Sequence, residues 1–217
     1  MTIQAFKNWF TQKPNVRTLL WVTFFGLAFG LVEGAVVIYI RELYYPEGFG
    51  FPLKAISSRV LSTELWRELA TIIMLIAVGV IAGIDKEERF AYFLISFAFW
   101  DIFYYIFLKL VLNWPESLLT WDILFLLPIT WFGPVIATII LSVLMITLGV
   151  LMLVFNSWPS KLEWSLLITD ALVSILSFTL DYILYIQNGG HISESIALSL
   201  TYVPDQFDWE FSLPRWS

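Results

Sequence analysis

Long apolar runs alternate with short polar interruptions along most of this chain. The first run covers residues 18–40 and is closed by Arg41. Its 23 residues suffice, as a helix, for the roughly 30 Å of a bilayer's hydrocarbon core. A turn-rich stretch, 41–60, follows with Tyr44, Tyr45, Pro46, Gly48, Gly50 and Pro52, and a second run covers 61–84. The charged sequence Asp85-Lys86-Glu87-Glu88-Arg89 leaves room only for a tight return, so the second and third runs are predicted to be antiparallel neighbours. The third covers 90–114 and is stopped by Pro115. Residues 123–155 are then apolar for too long to make one straight crossing. Pro128 and the Gly133-Pro134 pair break the helical hydrogen-bond ladder near the start of that stretch. This predicts an interfacial or re-entrant segment over 123–132 and a fourth span over 134–155. A fifth span, 164–186, ends at Asn188-Gly189-Gly190 and leads into a polar, acidic tail, 187–217. The pattern therefore predicts an all-α integral membrane protein, one bundle of about five transmembrane helices over 1–186.

Composition agrees. Hydrophobic residues make up 59% of the chain and charged ones 14%, against roughly 45–50% and about 25% in soluble domains. Such an excess is intelligible only where the exterior meets acyl chains. The lysines and arginines before the first run, Lys7, Lys13 and Arg17, resemble a signal-peptide n-region, but no small-residue cleavage site follows, so the first span is expected to be retained. Trp9, Trp21, Trp66, Trp114, Trp121, Trp131, Trp158 and Trp164 fall at or near predicted span ends, where indoles favour the headgroup region. With the N-terminus inside, the cytoplasmic side carries Lys7, Lys13, Arg17, Lys86, Arg89 and Lys161, and the other side Arg41, Lys54, Arg59 and Arg215. Six against four predicts a cytoplasmic N-terminus and an external C-terminus, in what is expected to be a bacterial inner (plasma) membrane.

Ionisable residues inside apolar spans cost about 2.5–3.5 kcal/mol each at a helix centre, so they should turn inward and meet one another. They are Glu33, Arg67, Glu68, Asp101, Lys109, Asp170 and Asp181. Asp101, Tyr105 and Lys109 lie along one helical stripe; Glu64 and Glu68 share a face, as do Glu33, Val37 and Arg41. Asp170, Ser174, Ser177 and Asp181 give the fifth span a polar stripe of its own. The predicted intramembrane polar cluster is Glu33, Arg67, Glu68, Asp101, Tyr105, Lys109 and Asp181, with Glu68–Lys109 or Asp101–Arg67 as candidate ion pairs. Five acids face two bases within the spans, leaving about three carboxyls to reach water, hold a proton, bind a cation or meet a partner's basic residues. Gly26, Gly30 and Gly34 recur every fourth residue beside Glu33, and Gly79 and Gly83 repeat the spacing, so both faces are predicted to pack closely against other helices. Asp122, just ahead of Ile123, is expected to cap the following segment.

Function is bounded mainly by exclusion. The chain has no cysteine and one histidine, His191, which belongs to the tail. That removes disulfides, iron–sulfur and thiolate-zinc ligation, bis-histidine haem and His-x-x-x-His metal helices. No Gly-x-Ser-x-Gly, Gly-x-Gly-Asp or Walker motif is present, and Glu87-Glu88-Arg89 reads as a solvated hairpin. No catalytic residue, cofactor or metal is therefore expected. A net charge of −6 argues against nucleic acid as a partner. The expected partners are the lipid bilayer and other membrane-complex subunits. The leading reading of the sequence is a non-catalytic structural or assembly subunit of such a complex. Its alternatives are a small proton- or cation-coupled transporter or channel using the acidic cluster, and a lipid- or quinone-binding protein.

Overall fold

The computed structural model describes residues 16–47, 57–127, 130–155 and 157–187; the side chain of Asp181, His191 and the tail 188–217 lie outside the described residues. Five helices are long and apolar enough to cross a bilayer: α1 (Val16–Tyr44), α2 (Ser58–Ala82), α3 (Lys86–Leu112), α4 (Val135–Phe155) and α5 (Lys161–Gln187). Their outward faces carry exposed large apolar side chains such as Trp21, Trp66, Ile81, Leu110 and Leu172, which lipid solvates and water would not. The protein is an all-α, polytopic integral membrane bundle.

Local chemistry sets the helix ends. The Ser57 hydroxyl accepts from the Val60 N–H and opens α2, while the Asp85 carboxylate accepts from the Glu88 N–H and opens α3. Ser160 and Glu163 form a reciprocal capping box at the start of α5, each side chain accepting from the other's backbone N–H. At the far end of α3, Asn113 adopts the left-handed conformation (φ 54°), and the Lys109 ammonium donates to the carbonyls of Asn113 and Pro115 at 3.2 and 2.9 Å.

Helix α3 is the central element. It packs against α1, α2 and α4, burying Ala91, Tyr92, Ile95, Ala98 and Leu108 among them. Both predicted glycine faces meet this one helix. A Cβ at Gly26 would lie 2.7 Å from the Phe99 Cβ, and one at Gly30 2.7 Å from the Trp100 carbonyl oxygen. On α2, a Cβ at Gly79 would come within 2.6 Å of the Arg89 carbonyl oxygen, and one at the C-cap Gly83 would collide with the Arg89 nitrogen. Gly34 is looser, at 3.5 Å from the Phe107 Cβ. Gly149 of α4, which the sequence did not single out, does the same against Ala91 and Ile95. The missing side chains let backbones approach where lipid offers no hydrophobic drive to association.

The connection before α4, where an interfacial or re-entrant segment is expected over 123–132, is a β-hairpin, so Asp122 lies in a strand and does not cap a helix. Strands β1 (Trp121–Phe125) and β2 (Trp131–Pro134) pair antiparallel, with Asp122 opposite Gly133 and Ile123 opposite Phe132. Pro128, Gly133 and Pro134 are poor in a helix, and strand pairing satisfies the backbone groups that a broken helix would leave open. The first N–H groups of α4 are used likewise: Val135 donates to the Thr120 carbonyl and Ile136 to that of Leu118, at 3.0 and 2.7 Å.

Helix α5 is peripheral. It rests on the hairpin through Phe178, stacked on Trp131 with ring centroids 6.3 Å apart, and on α3 through Trp164 against Phe90 at 5.4 Å. Of its predicted polar stripe, Asp170 and Ser177 are exposed and Ser174 is half-buried, while Thr179 beside them is buried.

Candidate intramembrane acidic cavity

Where α1, α2 and α3 converge under β1 they line a partly open cavity of about 140 Å³, close to the roughly 150 Å³ that accommodates a benzene ring in an engineered apolar cavity. Each helix brings its polar stripe to it. From α1 come Glu33, Val37 and Arg41; from α2 Glu64, Arg67 and Glu68; from α3 Trp100, Asp101, Tyr104 and Tyr105; and from the hairpin Asp122 and the run to Leu126. Glu33 lies eleven residues from the end of α1, Asp101 eleven from the end of α3 and Glu68 ten from the start of α2. At 1.5 Å per residue all three are about 15 Å from the hairpin end of the bundle, half the thickness of a hydrocarbon core.

The charges are arranged in two groups. Arg67 is shared, donating from Nη1 to Glu33 Oε1 and from Nε to Glu64 Oε2, the latter at 2.8 Å. Arg41 Nη2 donates to Asp122 Oδ1 at 3.2 Å, and its guanidinium lies over the Trp114 ring, 3.7 Å from the centroid. The Tyr105 hydroxyl donates to the other oxygen of Asp122 at 3.3 Å. Two carboxylates form no ion pair with either guanidinium, although Arg67 still acts on Glu68 through space. Glu68 accepts the Leu126 N–H on its two oxygens at 3.1 and 3.0 Å, pinning the hairpin to α2, and Asp101 Oδ2 accepts the Ser142 hydroxyl of α4 at 2.7 Å. Neither forms an ion pair among the described residues. Trp100 is also among the lining residues, and its indole Nε1–H is fully buried with no acceptor among the described residues.

Asp122, on the hairpin, has its carboxyl pushed up to about 6 by burial, against the pull of Arg41, the Ile123 N–H and Tyr105. The ordinary value is 3.8, so between about pH 4 and 6 the folded protein retains a proton that the unfolded chain has released. Stability then falls as pH rises through that window and levels off above it. Thermal unfolding of wild type and Asp122→Asn in the same detergent checks this. The wild-type midpoint should drop relative to the variant's from pH 4 to 6, and parallel curves would contradict it.

Comparison with family models, curated proteins and solved structures finds no match for this chain.

Function must therefore be argued from the cavity itself. Of the cluster predicted from the sequence, Glu33, Arg67, Glu68, Asp101 and Tyr105 line it together. Lys109 does not; it caps α3, because carbonyls within six residues are nearer than any carboxylate across the bundle. The candidate pairs Glu68–Lys109 and Asp101–Arg67 are thus replaced by Arg67 with Glu33 and Glu64. Sequence reasoning left Arg41, Glu64, Tyr104 and Asp122 out of the cluster, and all four line the cavity. Asp122 looked like a helix cap, Arg41 like a span terminus, and Tyr104 followed no stripe. The signal for Arg41 was present, since it shares a helical face with Glu33 and Val37. Among the described residues no group of three or more His, Cys, Asp or Glu side chains is placed to hold a metal ion.

Proposed function

We propose that this polytopic membrane protein is a small proton- or cation-coupled carrier whose transport site is the acidic cavity, set in a bacterial inner membrane with its N-terminus cytoplasmic. The reading rests on Glu68 and Asp101, two carboxylates at mid-depth that line one cavity and form no direct ion pair among the described residues. A carboxyl in such a place is neutralised by a proton or by a mobile cation. Competition between the two for the same oxygens is the elementary step of coupled exchange.

Purified protein in liposomes loaded with a pH-sensitive dye tests the proposal. A gradient of a monovalent cation, inorganic or organic, should move protons faster than in empty liposomes, and Asp101→Asn should return the rate to that background. Flux indistinguishable from empty liposomes across the whole cation panel would end the reading.

A second reading, a non-catalytic subunit of a larger complex, is favoured by Asp170. It lies nine residues into α5, about 13 Å along the helix, with its side chain exposed on the bundle's periphery. A carboxylate facing outward at that depth fits contact with another protein better than contact with lipid. Native mass spectrometry separates the readings: a stable hetero-assembly supports the subunit, and a lone chain that still catalyses flux supports the carrier.

A further inference from the structure

Resting on the subunit reading, the outer face of α5 also restricts what can cover it. The helix packs on the hairpin and touches α3 at Trp164, but among the described residues it lies along no other helix. Its outward surface is not uniformly apolar. Leu166, Asp170, Val173, Ser177 and Leu180 follow one another at alternating steps of four and three residues, and all five are exposed. Such spacing draws a nearly straight seam down a helix, the geometry by which two helices pack at a crossing angle of about 20°. The small side chain of Ser177 keeps the seam low, so a second backbone can come close.

Asp170 decides what the seam fits. Trp164 packs on Phe90, which sets α5 and α3 level there, and Asp170 lies six residues beyond, about 9 Å deeper into the bilayer. A carboxylate held outward at that depth is costly in lipid, and a basic group opposite it removes the cost. Among the described residues, neither this chain nor a second copy offers one at that height. Arg67 is taken by Glu33 and Glu64. Lys109 lies nineteen residues beyond Phe90, about 20 Å nearer the hairpin end than Asp170. A two-fold copy about an axis along the membrane normal keeps that offset and sets Asp170 against Asp170. Residues 188–217, which follow the far end of α5, carry four carboxylates against Arg215.

We propose that this seam docks a transmembrane helix of a different protein, one that carries an arginine or lysine level with Asp170.

Defined peptides test this. The chain has no cysteine, so Ser157→Cys gives one labelling position near the start of α5 and off the seam. The labelled full-length protein is reconstituted in bilayers with synthetic Leu-Ala transmembrane helices that carry either arginine or leucine at the depth of Asp170, and energy transfer reports association. The arginine helix should associate about 10-fold more tightly than the leucine helix. Asp170→Asn should abolish that preference, and Asp170→Lys should transfer it to a helix with glutamate in place of the arginine. Ser177→Trp should weaken binding of the arginine helix by a similar factor, because the new ring fills the seam. All these positions are exposed, and an unchanged unfolding midpoint verifies that the fold is kept. Equal affinity of the wild type for the arginine and leucine helices, or a preference unchanged in Asp170→Asn, would overturn the proposal. Energy transfer between copies of the protein itself that disappears in Ser177→Trp would also overturn it, in favour of a dimer. Native mass spectrometry keeps the subunit reading separate. A hetero-assembly that persists in Asp170→Lys would leave that reading standing and sink the seam assignment, whereas discrimination between the peptides by a protein that purifies alone would do the reverse.

Discussion

Arg67→Met will destabilise the protein by about 3–5 kcal/mol, the scale for removing one partner of a buried ion pair. The guanidinium bonds to two carboxylates on two helices, Glu33 of α1 and Glu64 of α2, and those acids are only 8% exposed. Methionine fills a comparable volume, so the loss isolates charge rather than packing. With the cation gone, two desolvated carboxylates face each other across the α1–α2 seam with nothing to balance them. Adding Glu33→Gln and Glu64→Gln to the variant should restore most of the stability, because a neutral set of similar shape carries no unpaired charge. Reversible unfolding in mixed micelles, run as a mutant cycle, gives both numbers. A loss below about 1 kcal/mol would mean that water already screens the pair, as at exposed ion pairs.

Gly30→Val should cost about 3 kcal/mol, at the upper end for overpacking a well-filled interior, whereas Gly34→Ala, one turn along, should cost less than about 1 kcal/mol. The contrast follows from what a first side-chain carbon would meet. At Gly30 it presses on the Trp100 carbonyl oxygen and the Tyr104 nitrogen, 2.7 and 2.9 Å away; at Gly34 its nearest neighbour is a side-chain carbon at an ordinary 3.5 Å. Backbone cannot rotate aside as a side chain can, so α1 must move off α3. Glu33 moves with it, so cation-driven proton flux should fall in Gly30→Val while it persists in Gly34→Ala. Equal stabilities would show that the α1–α3 contact gives way without cost.

Both predictions fall on features visible in the amino-acid order. The glycine spacing on the first two spans pointed to close packing, and the scarcity of charge in the spans made Glu33, Arg67, Glu68 and Asp101 conspicuous before any coordinates. Partners were less visible than members. Arg67 chose Glu33 and Glu64 over Asp101 because geometry across three helices decides such contests, and helical periodicity reports only one helix at a time. Asp122 was misread for the same reason: a cap is a local inference, and its partner Arg41 is 81 residues away in sequence. The hairpin escaped detection because Ile123, Leu124, Phe125, Leu126 and Leu127 form an unbroken apolar run without alternation, which carries no strand period. Lys109 was drawn into the cluster by its stripe, when the open carbonyls at its own helix end were the nearer acceptors.

The placement of α3 also bears on the order in which the chain can be assembled as it leaves the ribosome. The first two spans touch each other little and turn their glycines toward the third. Until that third helix emerges they have no surface to close on, so Glu33 and Arg67 must hold the nascent pair together by charge alone. Delaying the third segment, with a pause or a lengthened link at Asp85–Arg89, should leave that pair exposed to whatever quality-control machinery patrols the bilayer for unfinished proteins.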